Sequence, residues 1–479
     1  MGEMHLFVTA GRGTEDFVEL ELQEKLNAKR IKKTDGKIFF QTDLDTSDVA
    51  SSINHLKCVE RIFVCVLHKN DLRITSAWKG KQQLETAFKN ISRTEWMDCY
   101  STYRHCTRLQ HCVTECCAAE QQTEGHRYKI VNNVSEHQMA SDPDAKETAA
   151  VCEMRHMEKT NSQQLTNVNS MNKGCKRRKV EVCDTITFRI SCKVSGLPGR
   201  FFKAQNLGIS LGILLKHHMQ WKADLRNPNV EVFVHVNNQG LMIGIPLTRK
   251  PLSEREYFQH IGLRTPIAYI MAQLACIQAG DVVLDPMCGA GTILIEAAKS
   301  WPSAHYIGSD RDVQQLTKST ENIQKSREMA RIELMYCDAL YLPLTDKSVD
   351  VVISDLPFGH IHGQEKDMYA LYPKLVHLFN RVLKTGGHCV LLTSEKLRDF
   401  LLHTVCSDTV LNHSGHEDKD LLNMQTSAKI RELQQQPTED VLPKESRDIL
   451  CLELSWIVKC IHYVKLGDTH AFICSFVKS

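Results

Sequence analysis

The chain has 479 residues, 42% of them hydrophobic and 24% charged, with a net charge of +2 at pH 7. That length allows two to four domains with sizeable cores, and the near-neutral balance excludes a chain that is basic or acidic throughout, so any surface for a charged polymer must be local. No signal-peptide pattern opens it, no apolar run approaches the ~18 residues of a membrane span, and the 19 cysteines are scattered, which together predict an intracellular protein with reduced thiols.

In chain order, residues 4–10 read as a strand, Gly11 to Gly13 as a turn, and Thr14 to Leu26 as an amphipathic helix. Thr14 is its expected cap, with Phe17, Leu20, Leu22 and Leu26 near one face. A strand at Lys37–Gln41, a helix near Asp48–Leu56 and a strand at Arg61–Leu67 continue an α+β pattern, and residues 1–98 are expected to form a ferredoxin-like part. From 99 to 182 polar residues dominate and apolar periodicity vanishes, which predicts a disordered insertion. Five cysteines between Cys99 and Cys117 lie among His105 and His111, but without paired Cys-x-x-Cys knuckles no metal site is assigned. The basic cluster Lys173 to Lys179 reads equally as a solvated linker run or as a signal for nuclear import or RNA contact.

Order is expected to return with a strand at Thr185–Val194, a helix from Ala204 to His218, and strands at Val230–Val236 and Leu241–Pro246. Lys193, Arg200, Lys203, Lys216, Lys222, Arg226, Arg249 and Lys250 give residues 183–250 many cations for phosphates, although charges alone fit a solvated face as well. After a connector, Glu256 to Ile267, a helix is expected at about Pro266–Ile277.

The stretch Val282-Val283-Leu284-Asp285-Pro286-Met287-Cys288-Gly289-Ala290-Gly291-Thr292 then reads as a buried parallel strand turning sharply into a helix. Gly289 and Gly291 admit backbone amides to a ligand with no Cβ in the way, and the helix aims its positive end into the same space. A second strand ends at Asp310, 19 residues past Gly291 (310 − 291), close to the ~20 expected of a carboxylate that grips a ribose. The third glycine of a dinucleotide site and the Gly-Lys-Ser/Thr of a P-loop are both missing, so acids at two strand ends suit a cationic, phosphate-free nucleoside such as S-adenosylmethionine. Two further strands end at Asp338, placed for an adenine amine, and at Asp355-Leu356-Pro357-Phe358.

That tetrad resembles the Asn/Asp-Pro-Pro-Tyr/Phe signature of methyltransferases acting on exocyclic or amide nitrogens. The residue types fit: Asp355 and a tetrad carbonyl can accept both N–H bonds of an amine whose lone pair is delocalised, Pro357 restricts the backbone, and Phe358 offers a stacking face. Leu356 stands where the signature has its first proline, which is expected to loosen the loop. The predicted fold is α/β, a seven-stranded Rossmann-like methyltransferase sheet over residues 251–479 with a polar insertion at 407–447. It is expected to close with an antiparallel hairpin, Cys460–Leu466 and His470–Phe476.

Trp221-Lys222-Ala223-Asp224-Leu225-Arg226-Asn227-Pro228 and the strand after it resemble the THUMP domain, an RNA-binding module. With the glycine and tetrad motifs, the chain is similar to the THUMP-containing guanosine N2-methyltransferases over its N-terminal part, residues 185–395 and the hairpin. The resemblance implies S-adenosylmethionine held by Asp285, Cys288, Gly289, Gly291, Thr292, Asp310 and Asp338, and catalysis by Asp355, Leu356, Pro357 and Phe358. It further implies N2-methylguanosine formation in structured RNA, U6 small nuclear RNA first and tRNA as the alternative, and a location in the nucleus first, with the cytoplasm as a second. A zinc-binding activator, the tRNA methyltransferase subunit 11-2 homologue, would dock on an edge strand at residues 331–336, flanked by exposed apolar side chains such as Met335. A THUMP RNA-binding protein whose methyltransferase fold is only a scaffold is the competing reading.

Overall fold

The computed structural model describes residues 3–110 apart from 71, 73 and 75, and residues 185–359, 365–405 and 456–479. Two compact units emerge: Met1–Cys65 with Pro246–Ser479, and Val66–Ile245. The basic cluster at 173–179 and the polar insertion at 407–447 lie outside the described residues.

The first unit begins with strands β1 (Met4–Thr9), β2 (Lys29–Thr34), β3 (Lys37–Thr42) and β4 (Arg61–Asn70), in the order β2-β3-β1-β4. Helices α1 (Glu15–Leu26) and α2 (Thr46–Ile53) connect them. Phe7 on the central strand stacks on Phe63 at 4.6 Å and meets Phe39 at 5.3 Å, so an aromatic row spans β3, β1 and β4. β2 escapes sequence patterning because Lys-Arg-Ile-Lys-Lys-Thr has no apolar alternation; it is an outer strand held by β3. Two details of α1 differ from expectation. Thr14 precedes the helix, but its hydroxyl donates back to the Gly11 carbonyl at 2.8 Å rather than capping, and Leu20 is exposed while Glu21 is buried. Glu21 is inside because it accepts the Lys57 and Cys58 amides at 2.5 and 2.8 Å, a use for a carboxylate that hydrophobic patterning cannot anticipate.

The rest of the first unit is a seven-stranded sheet. Its strands are β9 (Val282–Asp285), β10 (His305–Asp310), β11 (Ile332–Tyr336), β12 (Val349–Asp355), β13 (Leu383–Ser394), β14 (Trp456–Leu466) and β15 (Thr469–Lys478). They run in the order β11-β10-β9-β12-β13-β15-β14, with β15 alone running against the other six, and β14 and β15 form the closing antiparallel hairpin that the sequence predicts. Helices α6 (Thr265–Leu274), α7 (Thr292–Ser300), α8 (Val313–Ser326), α9 (Glu365–Val382) and α10 (Glu395–Val405) flank it. The order reverses at β9/β12, where a crevice opens beyond the strand carboxyl ends. β11 is the outermost strand, as expected, but Met335 on it is half-buried against the core; the exposed aromatic there is Tyr336.

In the second unit β5 (Thr187–Val194), β6 (Lys222–Ala223), β7 (Val230–Asn237) and β8 (Gly240–Pro246) lie in the order β8-β7-β5-β6, with α3 (Ala77–Lys89) and α5 (Ala204–Met219). Residues 93–110 are helical (α4), so residues 99–110 are not the start of a disordered insertion. Composition misled because few residues hold this helix: Trp96, Tyr100 and Cys106 are buried, and Trp221 packs its ring against Trp96, Tyr100 and Phe188 at 6.1, 5.6 and 6.2 Å. Burying two or three large aromatics at ~1.5–3 kcal/mol each offsets the ordering of an otherwise polar segment.

The first unit is knit end to end. The Lys465 amide of β14 donates to the Arg12 carbonyl at 3.0 Å, and His462 meets the Phe17 ring edge-on at 4.9 Å. Gly13, at φ +88°, lets the turn pass the hairpin, since a Cβ there would fall 2.1 Å from the Tyr463 carbonyl oxygen. Gly13→Ala is therefore expected to destabilise the protein by about 1–3 kcal/mol through strain and forced separation, read as a lower urea midpoint. An unchanged midpoint would show that this approach is not tight in solution.

Candidate active site

β9, β10 and β12 each deliver an acid to the crevice, since each strand ends in one: Asp285, Asp310 and Asp355. Between β9 and α7 the chain turns through Gly289 (φ +53°) and Gly291 (φ +76°), both in the left-handed region that glycine adopts freely. Before Gly289 there is open space, whereas a Cβ on Gly291 would lie 2.5 Å from the Ser319 hydroxyl. The loop is braced from behind. The Cys288 amide donates to the Ser309 carbonyl at 2.9 Å, and the Ser309 hydroxyl to the Pro286 carbonyl at 3.1 Å. Asp310 accepts the Gly289 amide at 3.0 Å through one oxygen and the Asp312 amide at 2.9 Å through the other.

Asn322 was not anticipated. Buried on α8, it accepts the Gln259 and His260 amides at 2.8 and 2.9 Å and donates to the His260 and Ala290 carbonyls at 3.0 and 2.9 Å. One side chain thus stitches the connector to the glycine loop and brings Gly262 beside Thr292, whose buried hydroxyl has no partner among the described residues. No sequence pattern marks such an asparagine, because its partners are all backbone groups far along the chain.

Asp285 is fully buried, accepting the Met287 amide at 3.2 Å and the Ser354 hydroxyl at 3.1 Å. Burial pushes its carboxyl up to about 8, with the neighbouring Asp355 and Asp310 charges adding to the rise. Burial alone lifts Asp355 to about 7. The Cys288 thiol, enclosed and facing the same acids, is pushed far up and is a packing group rather than a nucleophile. Asp338 stands just after β11 and accepts the Leu340 amide at 2.9 Å.

The Asp355-to-Phe358 tetrad leaves the end of β12. Leu356 is buried, and its amide donates to the Leu392 carbonyl of β13 at 3.0 Å. This corrects the expectation of a loosened loop: a proline has no N–H to give, so leucine here ties the tetrad into the sheet. Tyr372, also missed from sequence, is a wholly buried residue of α9. Its phenol donates to the Pro357 carbonyl at 3.1 Å and meets the Thr393 hydroxyl at 3.0 Å. The tetrad is held from the sheet by Leu392 and from the helix layer by Tyr372.

The RMKL-like methyltransferase domain family (UPF0020) matches residues 253–406, and the RlmL ferredoxin-like domain matches residues 5–63. The U6 snRNA (guanine-N(2))-methyltransferase THUMPD2 of Bos taurus is 35% identical over 85% of this chain and 82% of its own length. That of Homo sapiens is 33% identical over 99% of this chain and 95% of its own. This chain belongs to the THUMPD2 family. The tRNA (guanine(6)-N(2))-methyltransferase THUMP3 of Homo sapiens is 25% identical over 82% of each chain. In fold, the chain is similar to TrmN from Thermus thermophilus, with a TM-score of 0.58 at 17% identity over 99% of this chain and 100% of that one.

Family membership makes the protein an RNA guanine-N2-methyltransferase with S-adenosylmethionine as its cofactor. The cradle fits that ligand. Three crowded acids want a cation, the space before Gly289 admits a ligand against bare backbone, and the Thr292 hydroxyl awaits a partner.

The pH dependence follows in sign. An acid raised by burial holds its proton to a higher pH, and a ligand bearing ammonium and sulfonium charges favours the ionised form. S-adenosylmethionine affinity should therefore strengthen as pH rises from about 6 to about 8 and then level off, with proton release on binding that titration calorimetry in buffers of different ionisation enthalpy will register. Affinity independent of pH across that window would mean both acids are ionised beforehand. For Tyr372→Phe, loss of one hydrogen bond of ~1 kcal/mol at the tetrad should lower kcat roughly fivefold and leave cofactor affinity unchanged; equal kcat in the two proteins would remove Tyr372 from the site.

Proposed function

We propose that this enzyme methylates the exocyclic N2 of a guanosine in U6 small nuclear RNA. The observation that carries the substrate assignment is the gradient among relatives that match over 82% or more of this chain: those at 32–35% identity are named for U6 snRNA, those at 25–26% for tRNA. A nuclear location goes with that substrate.

In the proposed mechanism the cofactor supplies the methyl group. Asp310 holds the ribose diol, Asp285 faces the cationic end, Asp338 takes the adenine amine, and the Gly289–Gly291 backbone with Cys288 and Thr292 shapes the cradle. The guanine stacks on Phe358. The Asp355 carboxylate and the Leu356 carbonyl accept hydrogen bonds from the two N2–H groups, aiming a lone pair that would otherwise lie in the ring π system. Pro357 narrows the loop's freedom, so orientation is supplied by structure rather than by strong base catalysis. As nitrogen becomes cationic, Asp355, lifted by burial towards neutrality, is suited to receive the surplus proton.

Residues 66–245, with the THUMP-like segment, are proposed to supply most of the RNA affinity. The zinc-binding activator is proposed to pair with β11, since an outermost parallel strand leaves a row of backbone groups open to strand addition, and Tyr336 is 68% exposed beside it.

Nucleoside mass spectrometry on U6 snRNA and tRNA from cells lacking the protein tests the assignment. U6 should lose one N2-methylguanosine and tRNA none, and the loss should be restored by the wild-type chain but not by an equally stable Asp355→Ala variant. Restoration by Asp355→Ala would favour the scaffold reading, and loss confined to tRNA would move the substrate.

A further inference from the structure

Within the first unit, a cleft of about 500 Å³ lies where α1, the residues following α2, α6 and α7 converge. Its charged walls are Lys25, Lys57 and Lys299; His55, Ser52, Ser300 and Tyr269 complete it. Every lining side chain carries an N–H or O–H donor, and none is a carboxylate. Three ammonium groups with no carboxylate among the lining residues give the cleft a positive potential, which favours an anion.

Two of the cations have a local explanation and one has none. Lys25 and Lys299 occupy the last turns of α1 and α7, where helix ends favour positive charge, and each has an acidic neighbour: Glu21 at 3.0 Å and Glu328 at 3.4 Å. Lys57 is on no helix, and its ammonium has no hydrogen-bond acceptor among the described residues. It lies 5.8 Å from the centroid of the Tyr257 ring, and the Lys299 ammonium lies 4.6 Å from the same centroid. Burial lowers the Lys57 pKa; buried Glu296 works against that, while Arg255, Lys299 and Lys25 add to it. A lysine kept in that setting, facing a donor-lined cleft, lacks one thing, an anion.

The cleft is separate from the catalytic crevice. Gly291 caps the N-terminal end of α7 and Ser300 closes the other, and nine residues at 1.5 Å each set the two about 14 Å apart along the axis.

We infer that the cleft between Lys57 and Lys299 binds a backbone phosphate of the RNA substrate, anchoring the strand at a distance from the guanosine being methylated. This rests on the RNA-modifying function proposed above and adds a contact outside the THUMP-like unit. A phosphodiester and a free phosphate share the chemistry that the lining recognises, so the test must separate them.

The test uses the full chain and a labelled U6 snRNA transcript, with Kd measured by anisotropy over a salt series and without cofactor, so that it does not depend on methyl transfer. The Lys57→Gln, Lys299→Gln double variant should raise Kd about tenfold at 0.1 M salt and lower the slope of log Kd against log salt by roughly one per lost phosphate contact. Unchanged Kd and slope, in a variant melting at the wild-type temperature, overturn the inference. Should that variant melt early, Lys25→Gln with His55→Gln at the cleft rim is read the same way. A second arm measures melting with millimolar pyrophosphate: stabilisation of wild type but not of the variant, with RNA affinity unaffected, makes this a small-phosphate site and overturns the RNA assignment. Failure of the wild-type chain to bind any RNA would count instead against the proposed function, and intact methylation with unaltered RNA affinity would remove the cleft alone.

Discussion

The first unit depends on a buried ion pair. Glu296, wholly enclosed on α7, accepts from the Arg255 guanidinium at 3.4 Å and from the Tyr257 phenol at 2.6 Å. Arg255 in turn donates to the carbonyls of Leu252, Leu56 and Lys57, the last at 2.8 Å. One charge pair therefore joins the segment between α2 and β4, the connector and the helix that carries the glycine loop. Breaking a pair so enclosed leaves an uncompensated charge, which costs about 3–5 kcal/mol, so connector and cradle are tied to one another firmly. From Arg255 the connector runs to Gln259 and His260, where Asn322 takes it up, and then to Gly262 beside Thr292. The cradle is thus built from behind by residues that touch no ligand.

This arrangement explains what sequence could and could not show. The glycine turn, the Asp310 spacing, the Asp355-to-Phe358 tetrad and the position of β11 at the sheet edge were legible, because each depends on a short local pattern or on the general rule of strand order. Asn322, Tyr372 and Glu296 were not. Each is an ordinary residue on a helix, and its role is set by backbone or side-chain groups that are distant in the chain and that only the fold brings to it. Charged β2 and the helix at 93–110 were missed for a related reason: both are secured by neighbours, a paired strand in one case and Trp221 in the other, while their own composition argues for solvent.

The departure at Leu356 shows how a motif can keep its job with altered means. A proline would stiffen the backbone through its ring; leucine instead uses its amide to bond β13 and its side chain to enter the core shared by α9 and α10. Tyr372 completes the clamp from the other side. A tetrad restrained by a sheet and a buried phenol is fixed relative to β12 and β13, so the position of the stacked base is inherited from the most rigid part of the molecule.

The docking of Arg12 and Gly13 against β14 has a consequence for the order of events during synthesis. β15 completes the sheet beside β13, and β14 receives the N-terminal turn, yet both belong to residues 456–479. The N-terminal strands leave the ribosome first and then wait for more than four hundred residues before their contact surface exists. Contacts of such separation close slowly, so the exposed turn and the unfilled place beside β13 are the surfaces on which a nascent chain most needs shielding from its neighbours.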